Sequence, residues 1–315
     1  MNQSRSVIQW LLGDDNPAVK YRTLLELLEK RPDDETVLRA KELILNWLPQ
    51  TADSKWMDSA KNLRMTYNLT ALAECALTRE DIEISRAVAG YFLPARNSGT
   101  PGLQYNGQFD SNCCDAMVIR ALVALGYGDH KKVRGWLKAF SEYQLPDGGM
   151  LCLHRIKKLK YSPKSCMKDN LHILLMLAVC RKQGLEFKYT AGIVNYFLKR
   201  QLFYRSDAPR RLVLSSVPGK RMIDSFFPAE PMRVGLPQIL YSLSILGAGQ
   251  RPEMAAAWQL IESKKDSSGK YRIEGTVAKS YLPRERVGKA SKWVTLYVLL
   301  ARKHAANPPA QLECG

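Results

Sequence analysis

Long apolar runs are missing from this chain of 315 residues. None approaches the ~18–20 residues that a bilayer-spanning helix needs, so no transmembrane segment is expected. The opening stretch, MNQSRSVIQWLLGDDNPAV, lacks the apolar core and small-residue cleavage site of a signal peptide, and a cytoplasmic location is the expectation. Strand-like alternation is almost absent, which argues against a sheet. CxxC spacing is absent as well. The seven cysteines are Cys75, Cys113, Cys114, Cys152, Cys166, Cys180 and Cys314. An odd number without an export signal argues against a disulfide framework and leaves buried small hydrophobes, metal ligands or reactive thiols. Acidic residues are scarce beside basic ones, 30 against 47, for a net charge of +17. Such a field attracts nucleic acid, anionic membrane surfaces or diphosphate-bearing substrates. No nucleic-acid reader motif accompanies it.

What is present is helix after helix. Apolar residues make up 46% of the chain, enough for a sizeable core. Asn16 followed by Pro17 reads as an N-cap and first helical residue, opening a helix with Tyr21, Leu24, Leu25 and Leu28 on one face. A helix over 36–48 completes that pair. Further pairs follow at 64–77 with 81–93, at 112–126 with 131–144, at 165–180 with 188–201, and at 234–247 with 252–264, and SKWVTLYVLLARKHA closes the series. The period is roughly 45–65 residues, the mark of a repeat architecture. In each pair an almost wholly apolar helix precedes an amphipathic one. The first kind needs cover on both sides and the second on one, so alternating them builds two concentric layers, either an open solenoid or a closed toroid.

The clearest unit is NCCDAMVIRALVALGYGDHKKVRGWLKAFSEYQLPDGGM, residues 112–150. Its Cys113, Ala121, Leu122, Leu125, Gly126, Trp136, Leu137, Gln144, Pro146, Asp147, Gly148 and Gly149 resemble the repeat of the terpenoid cyclase and protein prenyltransferase superfamily, including bacterial squalene-cyclase-like proteins. A second copy, AWQLIESKKDSSGKYRIEG, keeps the outer helix and the Gly-aromatic ending, with Lys265 near the usual Gln. The resemblance implies an all-α fold, an α/α toroid of roughly eleven or twelve helices over residues 1–305. Residues 1–60 would supply an N-terminal repeat and 306–315 a frayed tail. It also implies isoprenoid chemistry, a prenyltransferase-like or cyclase-like protein acting on an apolar substrate with an anionic head group. The Asp-x-Asp-Asp acid motif and the Asp-Asp-x-x-Asp magnesium motif of such enzymes are both absent. The alternative is a non-catalytic toroid that binds a polyanion such as nucleic acid along a basic rim.

Candidate site residues follow from placing inner-helix N-termini and Asp-Gly-Gly loops on one rim. Cys113 or Cys114, Cys152, His154 and Cys166 could meet there as zinc ligands, since thiolate and imidazole suit that ion. Asp110, Asp115 and His172 are the candidate catalytic groups. Arg64, Lys168, Arg233 and Lys292 stand near inner-helix starts, where cations and helix N-termini favour an anion. Tyr67, Phe226, Phe227 and Trp293 are aromatic candidates for an apolar cavity.

Overall fold

A computed structural model describes residues 2–48, 62–92, 112–151, 165–204, 224–227, 233–275 and 285–307. Among them the fold is all helix, with isolated bridges instead of sheet. The elements are α1 (Asn2–Leu11), α2 (Pro17–Arg22), α3 (Glu35–Trp47), α4 (Asn62–Glu74), α5 (Ser85–Phe92), α6 (Asn112–Leu122), α7 (Lys131–Ala139), α8 (Met167–Lys182), α9 (Tyr189–Lys199), α10 (Leu236–Ile245), α11 (Ala255–Ser263) and α12 (Lys292–Ala306).

The inner layer packs in the order α4, α6, α8, α10, α12, α2, with α3, α7, α9 and α11 lying against its outside. Composition sets this division. Along α8 every residue from Asp169 to Ala178 is buried, as a helix covered on both sides must be. In α7 only Val133 and Leu137 are buried, while Lys131, Arg134 and Lys138 face outward. The expected two-layer α/α toroid is the fold observed.

Short-range chemistry starts and stops the helices. Asn16 Oδ1 accepts from the Val19 N–H at 3.3 Å with Pro17 in the first turn, and Asp34 caps α3 through the Thr36 N–H at 2.9 Å. The helix expected to run unbroken from Ala18 to Lys30 instead leaves α geometry at Thr23. A π-turn spans Thr23–Leu27, closed by the Leu28 N–H on the Thr23 carbonyl at 2.9 Å. The Thr23 hydroxyl donates back to the Val19 carbonyl at 2.7 Å, a side-chain bond that bends helices.

The loop after α7 is held by close backbone approach. Gln144 Nε2 donates to the Gly148 and Tyr189 carbonyls, and Asp147 accepts from the Gly149 N–H, the Ser165 hydroxyl and the Arg200 guanidinium. Asp147 is thus a turn and docking residue. Gly148 has φ +85°, and a Cβ there would lie 2.4 Å from the Gly192 carbonyl oxygen. The loop then hands the Met150 N–H to Asn170 Oδ1 on α8 at 2.8 Å. Residues 265–271 repeat the geometry: Lys265 bridges to Tyr271 as Gln144 bridges to Met150, and the Tyr271 N–H donates to Thr295 Oγ1 on α12. The internal repeat is therefore a repeated way of pinning an outer-helix loop to the next inner helix.

Candidate functional site

Cations belong at helix C-termini, where unpaired carbonyls carry partial negative charge. Arg22 ends α2, Arg120 lies in the last turn of α6, and Lys182 ends α8. Glu74 ends α4, and the π-turn carries Glu26. The toroid brings these five charged side chains to one central cavity of about 210 Å³, together with Tyr241 of α10 and Tyr297 of α12. That is below the ~300–1,000 Å³ of drug-sized ligand sites, so the space suits a single small unit of a ligand.

The groups form two matching sets. Tyr241 donates its phenolic proton to Glu26 at 2.9 Å and accepts from Lys182 Nζ at 3.2 Å, while Lys182 also reaches Glu26 at 2.7 Å. Tyr297 donates to Glu74 and accepts from Arg22 Nη1 at 3.2 Å. Arg22 links the sets, bonding Glu26 through Nε and Glu74 through Nη1 at 3.4 Å, with its guanidinium 5.2 Å from the Tyr297 ring centre. His304 meets the Tyr241 ring edge-on at 5.6 Å.

Burial alone would raise the Glu26 carboxyl, but the adjacent Arg22 and Lys182 cations outweigh it and hold the group well below the usual carboxylate range. Burial pushes both tyrosines up, and a neighbouring glutamate adds to it: Glu26 for Tyr241, Glu74 for Tyr297. At neutral pH the site therefore holds an ionised Glu26 and two protonated phenols. The phenols are hydrogen-bond and proton donors.

Arg120 stands apart from this order. It is 5% exposed and lines the cavity, and its Nη2 is buried without a hydrogen-bond partner among the described residues. Its one ionic contact among the described residues is Glu74, at 3.5 Å. A buried guanidinium with uncommitted donors is costly unless something else meets it.

The residues singled out from sequence lie elsewhere. Phe226, Phe227 and Trp293 are fully buried packing residues and do not line the cavity. Arg233 sits over the Phe227 ring at 5.6 Å, Lys168 is exposed, and Lys292 is committed to Asp15 and to the Gly13 carbonyl. Asp115 and His172 are buried on α6 and α8, and Cys113 and Cys166 stand at the starts of those helices. Asp110, Cys152 and His154, and the side chains of Arg64, Tyr67 and Cys114, fall outside the described residues. Among the described residues no three His, Cys, Asp or Glu side chains group as a metal site, and no helix is long and apolar enough to cross a membrane. The rim expected to hold the site lies at the inner-helix N-termini, whereas the charged cavity is built mostly from C-terminal ends. Its signal was a lone charge inside an apolar inner helix, such as Glu74 in ALAECAL or Arg120 in MVIRALVAL.

No family model matches the chain, and no curated protein matches it. Among solved structures, a polysaccharide lyase superposes on 99% of this chain and 100% of its own, with a TM-score of 0.52 at 14% identity. At that identity the likeness is one of fold. It nevertheless corrects the expected kinship with terpenoid cyclases and prenyltransferases, since the same toroid is matched end to end outside that superfamily. The Pro-Asp-Gly-Gly loop that carried the resemblance is explained by helix docking. The isoprenoid function falls with it: the aromatic rings expected to line its cavity, Phe226, Phe227 and Trp293, do not line the central space, where five charged side chains stand among apolar ones such as Leu175, Val179 and Ile245. The nucleic-acid alternative has no support from the comparisons either, and Lys292 of the expected basic rim is paired with Asp15.

Proposed function

We propose that the protein acts on an acidic saccharide and receives one charged sugar unit in the central cavity. The observation that carries this reading is Arg120, buried at the cavity wall with its Nη2 lacking a hydrogen bond and only a long ionic contact to Glu74. A sugar carboxylate would meet the guanidinium with two parallel hydrogen bonds, the strongest pairing open to it. Charge supports the same ligand. Three cations, Arg22, Arg120 and Lys182, face two carboxylates, Glu26 and Glu74, and one further negative charge completes the balance. Tyr241 and Tyr297 line the cavity and supply hydroxyls of the kind that bind sugar hydroxyls. The likeness to a polysaccharide lyase agrees with a saccharide and suggests elimination as the reaction.

In that reaction Arg120 neutralises the sugar carboxylate and so acidifies the neighbouring C–H. Glu74, between Arg120 and Tyr297, takes that proton; the C–H electron pair becomes the new C=C bond. The adjacent C–O bond breaks, and the leaving oxygen takes its proton from Tyr241.

The test is calorimetric binding of glucuronate- and galacturonate-containing disaccharides against cellobiose, with turnover followed by the ultraviolet absorbance of the unsaturated product. The acidic disaccharides should bind, cellobiose at least tenfold more weakly, and Arg120→Gln should remove the difference. Glu74→Gln should bind yet turn nothing over. Equal affinity for acidic and neutral disaccharides, or none for either, would overturn the reading.

A further inference from the structure

Glu26 is held in place by a turn that breaks two helix rules at once. Its π-turn is a less common geometry than the α-helix. The turn ends at Glu29, a non-glycine residue with φ +54°, where glycine is the usual helix-ending residue. The Lys30 N–H closes the end on the Leu24 carbonyl at 3.0 Å, as the Leu28 N–H does on Thr23. The carbonyls of Glu26 and Leu27 are left over, pointing out of the end of the turn.

Both are taken by one side chain from the other end of the chain. Lys303 on α12 donates through Nζ to the Glu26 carbonyl at 2.6 Å and to the Leu27 carbonyl at 3.3 Å, and it pairs with the Glu29 carboxylate at 2.6 Å. One ammonium thus satisfies two helix-end carbonyls and neutralises the residue in the left-handed conformation. We infer that Lys303 is a positioning residue for the central cavity. By clamping the π-turn it fixes the backbone from which Glu26 meets Tyr241 and Lys182, so the site is set only when the last inner helix closes on the first.

A lysine acting only as a surface counter-ion would serve Glu29 alone. The two carbonyl contacts are made to the backbone of the residue whose side chain lines the cavity and of its neighbour. Loss of the clamp frees the turn to revert towards α geometry, which rotates Glu26 away from the Tyr241 hydroxyl. The consequence for ligand binding rests on the acidic-saccharide reading; the consequence for the turn does not.

Two measurements separate these. The first is amide hydrogen exchange on the whole protein, comparing Lys303→Met, Lys303→Arg and Glu29→Gly with the parent. Lys303→Met should lower protection at Leu28 and Lys30 at least tenfold while Ile119 and Leu174, deep in α6 and α8, keep theirs. Glu29→Gly, which removes the ion pair and the backbone strain but leaves the carbonyl contacts, should keep Leu28 and Lys30 protected. The second is affinity for the glucuronate disaccharide, which should fall about tenfold in Lys303→Met and recover in Lys303→Arg. Unchanged Leu28 and Lys30 protection in Lys303→Met overturns the inference. So does an equal loss in Glu29→Gly, which would assign the effect to the ion pair. If Lys303→Met unfolds globally, the comparison of Lys303→Arg with Glu29→Gly decides alone: protection kept in both supports the clamp, and protection lost in Glu29→Gly overturns it. Failure of the parent to bind the disaccharide counts against the proposed function and leaves the exchange result standing.

Discussion

A buried glutamate between two cations is a statement about pH. In the folded protein Arg22 and Lys182 hold Glu26 below the ordinary carboxylate range despite its burial, whereas in the unfolded chain it titrates near ~4.3. The unfolded state therefore takes up the proton first as pH falls. The stabilisation from Glu26 is fully present above about pH 4.3 and is lost progressively below it, towards the depressed folded value. Urea unfolding at a series of pH values should show the parent losing stability on acidification more steeply than Glu26→Gln, since other depressed acids such as Asp34 and Asp81 act equally in both proteins. Parallel curves would mean that the Arg22 and Lys182 contacts do not hold the carboxylate in solution.

The elements depend on backbone approach as much as on side-chain packing. A Cβ on Gly148 would meet the Gly192 carbonyl oxygen at 2.4 Å in a residue with φ +85°, whereas Gly184, with φ +70°, has nothing within 4 Å. Both alanine variants pay the left-handed penalty of ~1–2 kcal/mol, but only Gly148→Ala must also push α9 away from the loop. Thermal denaturation should therefore rank Gly148→Ala well below Gly184→Ala, with a difference of at least ~2 kcal/mol; equal melting points would show that the loop yields at no cost. This loop was legible in sequence, as were the helix pairs and the Asn16-Pro17 start, because each is encoded by neighbours within one turn or one period. The π-turn at Thr23 was not, since the side chain that meets its end carbonyls, Lys303, comes from a helix far along the chain. The cavity was hidden for the same reason. Glu74 and Arg120 each look like an isolated charge on an apolar helix, Arg22 and Lys182 like ordinary cations at helix ends, and only the closed ring makes them neighbours of Tyr297. Cys113, Asp115 and Lys292, more conspicuous in sequence, stand instead at helix starts, on the opposite rim.

At the scale of the whole molecule, the inner ring closes through charge rather than through an apolar seam alone. Arg22 belongs to the first inner helix, Glu74 to the next in sequence and Tyr297 to the last, and the Arg22 guanidinium bonds both of the others as well as Glu26. Its removal leaves Glu26 with Lys182 as its cation and Glu74 with Arg120 at 3.5 Å. Breaking a buried ion pair from one side costs ~3–5 kcal/mol, because a desolvated charge stays behind. Arg22→Met, which keeps the length of the stem, should therefore lose about that much in urea unfolding. Where the loss falls is the stronger test. If the ring is one cooperative unit, amide protection in α2, α4 and α12 should drop together and by similar factors, although residues 22, 74 and 297 lie in three separate helices. Loss confined to α2 would instead make the toroid a row of repeats that stack without closing, with Arg22 no more than a local contact of the first.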